Sequence, residues 1–184
     1  MNLNYNLVDE NDIILKISPA KFIFTPHNNV AKEISDKLYE IMLDKKGIGL
    51  SANQVGIGIQ LFVMGYEENR RVVFNPLIIE KSEEEILMKE GCLSFPGLFF
   101  NVKRSLEIKV KYQNEYGEEK EETFTGLTAR VFQHEYDHMQ GILFTEKVSR
   151  MKLDMAYKKR VKTLKKLVLD VSKQAIDTAY KNVN

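Results

Sequence analysis

The chain has 184 residues, 43% hydrophobic and 29% charged, proportions that exclude a disordered or collagen-like polypeptide and allow one hydrophobic core. Its apolar runs, such as residues 61–64, fall far short of the ~18 residues of a membrane helix, no secretory segment follows Met1, and the single cysteine, Cys92, leaves no internal disulfide, so a single domain spanning 1–184 in the cytoplasm is expected, with no membrane or DNA partner. The net charge of +1 conceals a split: residues 1–146 hold 16 Lys and Arg against 23 Asp and Glu, whereas residues 147–170 hold nine basic residues against two acidic ones.

The first predicted element is a helix over residues 29–45, where Val30, Ile34, Leu38 and Ile41 recur at helical spacing. Lys45 and Lys46 suit its C-terminal end and Gly47 suits the position beyond it. A strand-rich middle follows, with strands predicted over residues 60–64, 71–74, 77–80, 106–112 and 121–125, the last two joined by a turn at residues 114–117. Alternation of Leu106, Ile108, Val110 and Tyr112 with charged neighbours predicts antiparallel sheets with one wet face. Two helices end the chain. One spans residues 127–140. The other runs from about 149 to 180 and carries an apolar stripe of Leu153, Tyr157, Val161, Leu164, Val168, Val171 and Ala175 beside a Lys-rich face. The fold class is α+β: antiparallel β-sheets around a central helix, with an N-terminal and a C-terminal helix.

The central helix carries the strongest chemical signal. His134-Glu135-Tyr136-Asp137-His138 is an H-E-x-x-H pattern and uses two of the three histidines. On a helix, residues i and i+4 share a face, so both imidazoles can grip one ion while Glu135 takes a proton from water acidified by that ion. A catalytic metal of this type needs a third protein ligand. The candidates are His27, Cys92 and a distant carboxylate, and Cys92, flanked by Gly91, is the best of them because a thiolate is a strong ligand for a soft or borderline ion. A Gly-rich segment at residues 47–54 follows the first helix and allows close backbone approach to a ligand.

Three segments in this order, GIGLSANQ at residues 47–54, EGCLS at 90–94 and QHEYDH at 133–138, resemble the motifs of the peptide deformylase family. The resemblance is close from about residue 47 to residue 144. It implies removal of the formyl group from the N-terminal formyl-methionine of nascent polypeptides, with release of formate. It implies that Cys92, His134 and His138 ligate one divalent metal, with Fe2+ ahead of Zn2+, Ni2+ or Co2+, and that Glu135 is the general acid/base. Gln54 and the backbone N–H of Leu93 would donate to the oxyanion. Ile48, Gly49 and Gly91, with Glu90 beside them, would meet the substrate backbone in the manner of an added strand. The sequence departs from the family at Ser51, where an alanine is usual, and at Met139, where a leucine is common.

Two other readings carry less weight. A zincin-type peptidase takes a third ligand downstream of its helix, and no histidine follows His138. A structural metal site is normally closed by four protein ligands. The apolar run at Phe95, Pro96, Leu98, Phe99 and Phe100 is either a wall for the methionine side chain or core. The basic C-terminal helix is either a solvated surface or a contact with ribosomal RNA.

Overall fold

The computed structural model describes residues 6–25 and 29–181, with side chains through residue 174. His27 lies outside the described residues. Helix α1 covers Val30–Asp44, α2 Gly126–Met139 and α3 Arg150–Lys181, and seven strands lie between the first two: β1 Gly49–Ser51, β2 Leu61–Met64, β3 Arg71–Lys81, β4 Glu85–Gly91, β5 Phe99–Ser105, β6 Glu107–Gln113 and β7 Glu119–Thr125. Each expected helix is present within a residue or two of its predicted bounds. Among the described residues, no helix is long and apolar enough to cross a membrane.

Five strands form one antiparallel sheet in the order β1-β2-β3-β6-β7. The pleat sends alternate side chains to opposite faces. Leu61 and Val63 of β2, with Val72 and Phe74 of β3, pack against Ala31, Leu38 and Met42 of α1. Phe62, Met64 and Val73 face the other way and pack with Ile108, Val110 and Phe124 against Ala129, Phe132 and Met139 of α2. The middle of the sheet is therefore covered on both faces, by α1 and by α2. Only its β6–β7 end keeps the wet face expected from the alternation.

Two expected strands, 71–74 and 77–80, are one. β3 runs through both, and its register with β6 shifts between Phe74 and Leu77. At the shift Asn75 adopts φ 49°, a left-handed conformation that asparagine tolerates. Its side chain accepts from Phe22 N–H and donates to Phe22 O, each at 2.8 Å, and donates to Gln113 Oε1 at 2.7 Å. The bulge thus ties the N-terminal segment to the sheet. At the end of α1, the residue with positive φ is Lys46 (56°) rather than Gly47, whose N–H bonds Met42 O at 2.8 Å.

The second sheet, β4 paired with β5 from Glu85↔Ser105 to Gly91↔Phe99, has no counterpart among the predicted elements. Its strands are largely exposed on one face, and the Glu83-Glu84-Glu85 run that leads into β4 gives no apolar alternation. Phe100 and Val102 of β5 point inward and join Leu15, Phe95, Leu98, Leu143 and Phe144 in a third core, against which Leu153, Ala156 and Tyr157 of α3 pack. Among the described side chains, only that first part of the α3 stripe finds a partner; Ala175 lies outside them. Arg160 pairs both guanidinium nitrogens with Glu10 at 2.6 and 2.7 Å, and beyond it Val161, Leu164, Val168 and Val171 are exposed.

Candidate metal centre and cleft

Helix α2 is held against the large sheet by Ala129, Phe132 and Met139. That packing turns a second face, bearing Arg130, His134 and His138 at four-residue intervals, toward the β4–β5 sheet. The turn after β4 brings Cys92 to the same place. The ligand atoms of Cys92, His134 and His138 lie within 4.8 Å of one another, Cys92 Sγ is 3.4 Å from His138 Nε2, and the two imidazole rings sit edge-to-face at 5.3 Å. A thiolate and two imidazoles converging in this way fit a divalent ion of the soft or borderline kind. With His27 outside the described residues, no other group of three such donors is found among the described ones.

The surroundings of each imidazole suit a metal ligand. His134 Nδ1 faces Glu90 Oε2 at 3.2 Å, which leaves Nε2 for an ion. Burial works against a charge on His134, but Cys92 and Glu90 outweigh it and, without metal, hold its pKa up at about 10. A metal bound here would replace that proton. Burial, with the charges of His134 and Arg104, pushes His138 well below the ordinary value and keeps it neutral, as a ligand must be. Its Nδ1 is buried without a partner.

Glu135 is 4% exposed. Burial raises its pKa to about 7, against the lowering effects of His134 and the Ser51 hydroxyl. A carboxyl poised near neutrality suits general acid/base work. Gly49 packs directly on it: a Cβ at Gly49 would sit 2.6 Å from Glu135 Oε1 and 2.9 Å from Val131 Cγ1. Only glycine permits that approach. Glu135 Oε2 is buried without a protein partner, the position where a polar guest is needed.

Gln54 closes another side. Its Oε1 accepts from both the backbone N–H and the hydroxyl of Ser51, each at 2.9 Å. This fixes the amide so that Nε2 points to Cys92 Sγ at 3.3 Å and Ser94 Oγ at 3.0 Å. Ser51 therefore does more than fit where an alanine is usual: its hydroxyl orients Gln54.

Glu90 is where the structure departs from expectation. It is 6% exposed, and its carboxylate is occupied by Arg104 Nε at 2.6 Å, Arg130 at 2.5 Å and His134 Nδ1. Arg104 also reaches Asp137 Oδ2 at 2.7 Å, and Arg130 donates to Val102 O and Ile86 O. Burial alone would raise the Glu90 pKa, but His134 and Arg104 hold it at about 2. Glu90 thus braces a metal-ligand candidate from behind and has no carboxylate oxygen spare for a substrate. The sequence reading missed Arg104, Arg130 and Asp137. The four-residue spacing of Arg130, His134 and His138 was a usable signal for the second.

A cleft of about 470 Å3 opens onto these groups, lined by Ile48, Gly49, Gln54, Gly91, Cys92, Leu93, His134 and Glu135. Phe95 and Leu98 line it while being buried in the third core, so the apolar run is both wall and core. Phe99 at the rim is 58% exposed. Ile48 is exposed and Leu93 half-buried. A buried carboxylate beside converging thiolate and imidazole donors, at the floor of an apolar cleft, defines the class: a metal-assisted hydrolase.

The family model for polypeptide deformylase matches residues 5–154. Peptide deformylase of Pseudothermotoga lettingae is 44% identical over 143 residues, covering 78% of each chain. The crystal structure of peptide deformylase from Thermotoga maritima superposes with a TM-score of 0.74 at 40% identity, covering 79% of this chain and 97% of that one. The enzyme of Thermus thermophilus gives 0.78 at 34% identity, covering 88% and 96%. The chain belongs to the peptide deformylase family. It is a hydrolase that removes the formyl group from the N-terminal formyl-methionine of nascent polypeptides.

Proposed function

We propose that Cys92, His134 and His138 hold one ferrous ion and that Glu135, Gln54 and the Leu93 N–H carry out the deformylation around it. The observation that carries this reading is the convergence of the three donor atoms within 4.8 Å, beside a buried carboxyl whose pKa is raised to about 7. When bound, the ion acidifies water and polarises the formyl carbonyl. Glu135 accepts the proton from water as it attacks the formyl carbon, then delivers it to the leaving amine. Gln54 Nε2, oriented by Ser51, donates to the oxyanion with the Leu93 N–H, and one such donor contributes about 3–4 kcal/mol to lowering a barrier.

The substrate enters between two open strand edges. Among the described residues, β1 pairs only with β2, and β4 only with β5. An extended peptide between Ile48 and Gly49 on one side and Gly91 on the other adds a strand to both. Glu90 positions His134 rather than touching this peptide. A related enzyme from Acinetobacter baumannii has been solved with Met-Ala-Ser bound, at a TM-score of 0.75 and 34% identity, which makes formyl-Met-Ala-Ser the natural probe. Iron is tested by metal analysis of protein prepared without air. Iron at one equivalent, with activity that decays in air, is expected. Zinc in fresh, air-stable enzyme overturns the assignment.

Residues 1–184 act as one catalytic domain in the cytoplasm, where nascent chains emerge. The basic face of α3, with Lys158, Lys159, Lys162 and Lys166 exposed, contacts ribosomal RNA through phosphates. Reversing those four charges should abolish co-sedimentation with ribosomes at low salt. Unchanged co-sedimentation contradicts the contact.

A further inference from the structure

The rim of the catalytic cleft is also the near end of a second groove. Lys89 and Phe99 line both. They are neighbours on the exposed face of the small sheet, where Gly91 lies opposite Phe99 and Lys89 opposite Asn101, and the Lys89 ammonium stands 4.9 Å from the centre of the Phe99 ring. From there a groove of about 510 Å3 crosses Asn101 and reaches Val148, Lys152 and Met155 at the start of α3. Met155 is 64% exposed. The charged residues of this groove are Lys89 and Lys152 alone, and among the described residues neither takes part in an ion pair.

A nascent polypeptide does not end with the residues beside the metal. Two residues of strand span about 7 Å, and an extended chain advances about 3.3–3.6 Å per residue. A chain that leaves Gly91 over the exposed face of the small sheet therefore reaches the Lys89 and Phe99 side chains, which line both cleft and groove, roughly two residues later, and crosses β5 into the groove. Its walls are apolar at Phe99, Val148 and Met155 and positive at both ends, which selects apolar side chains accompanied by carboxylates.

We propose that this groove binds the downstream segment of the substrate polypeptide, roughly its fourth to seventh residues, and favours segments carrying apolar and acidic side chains. The proposal rests on the deformylase activity and extends it from the reacting end of the substrate to the chain behind it.

The test compares three substrates with the metal-loaded enzyme: formyl-Met-Ala-Ser, a nine-residue formyl peptide of the same start with Leu and Glu at positions five and six, and the same peptide with Lys for Glu. KM for the acidic nonapeptide should be about five- to tenfold below that of the tripeptide, the scale of one rim ion pair and a partly buried apolar side chain. The Lys peptide should lose most of that advantage. In a Lys152→Glu/Met155→Asp double variant the acidic peptide should lose it too, while tripeptide kinetics stay unchanged. Equal KM for all three peptides in the wild-type enzyme overturns the proposal without recourse to any variant, and so does a length advantage that survives the double substitution. Tripeptide deformylation by the wild type separates the two claims, since its absence removes the activity on which the groove's role depends.

Discussion

Helix α2 and the outer part of α3 are both built from apolar residues at helical spacing with polar residues between them, but only α2 is enclosed. The sheet covers its apolar side, the β4–β5 pair covers the other, and its buried Arg130, Gln133, His134 and Asp137 are each hydrogen-bonded. Past Arg160, among the described side chains, α3 meets no such surface and its Val161, Leu164, Val168 and Val171 stay exposed. The difference shows that periodicity states which residues can share a face, while burial depends on what the rest of the fold brings to that face. The enclosed helix can hold groups at unusual pKa values because water does not level them. The open one presents its lysines to solvent.

The sharpest way to break the contrast is to unbalance the buried belt. Arg104→Met leaves Glu90 and Asp137 facing each other's side of the site without their shared cation, and should cost about 3–5 kcal/mol of stability by denaturant unfolding. A loss below ~1 kcal/mol would show that water reaches the belt.

Glu90→Gln should be milder, and its effect depends on pH. Glu90 is held at about 2 in the folded protein, below the ordinary 4.5. Its ionised form therefore stabilises the fold fully above about pH 4.5, and that contribution fades as pH falls toward 2. The stability gap between wild type and variant should close over that interval. The same variant should weaken metal retention about 10- to 100-fold, measured by chelator competition, because His134 loses its brace.

Gly49→Ala probes contact at the carboxyl itself. Its methyl would displace Glu135, and deformylation should fall about a hundredfold with little change in metal content. Wild-type rates in this variant would mean that the carboxyl tolerates displacement. At the other extreme, Leu164→Ala and Val168→Ala should each leave tripeptide kinetics unchanged and shift Tm by no more than about 2 °C, since both side chains are exposed and a surface substitution contributes within ~0.5 kcal/mol.

Much of the site was legible because its chemistry is written at fixed spacing. The His134/His138 pair needs only helical geometry, and Cys92 is preferred to His27 or a distant carboxylate as a thiolate flanked by Gly91. The helices were legible for the same reason. The β4–β5 sheet was not, since a half-exposed two-stranded ribbon entered through three glutamates carries little alternation. The pairing within the Glu90–Arg104–Asp137–Arg130 belt was equally hidden. Helical spacing points to Arg130, but only the crossing of β4, β5 and α2 makes the four partners. Ser51 looked like a small-residue substitution until its hydroxyl was seen holding Gln54.

The central claim is that one buried carboxyl, Glu135, moves the proton at a site built by Cys92, His134 and His138. Formate release from formyl-Met-Ala-Ser, measured for wild type and Glu135→Gln with metal content determined on the same samples, tests it most directly. Full metal occupancy with activity reduced by about three orders of magnitude is the predicted result, whereas a fully loaded variant that still deformylates at the wild-type rate would contradict it.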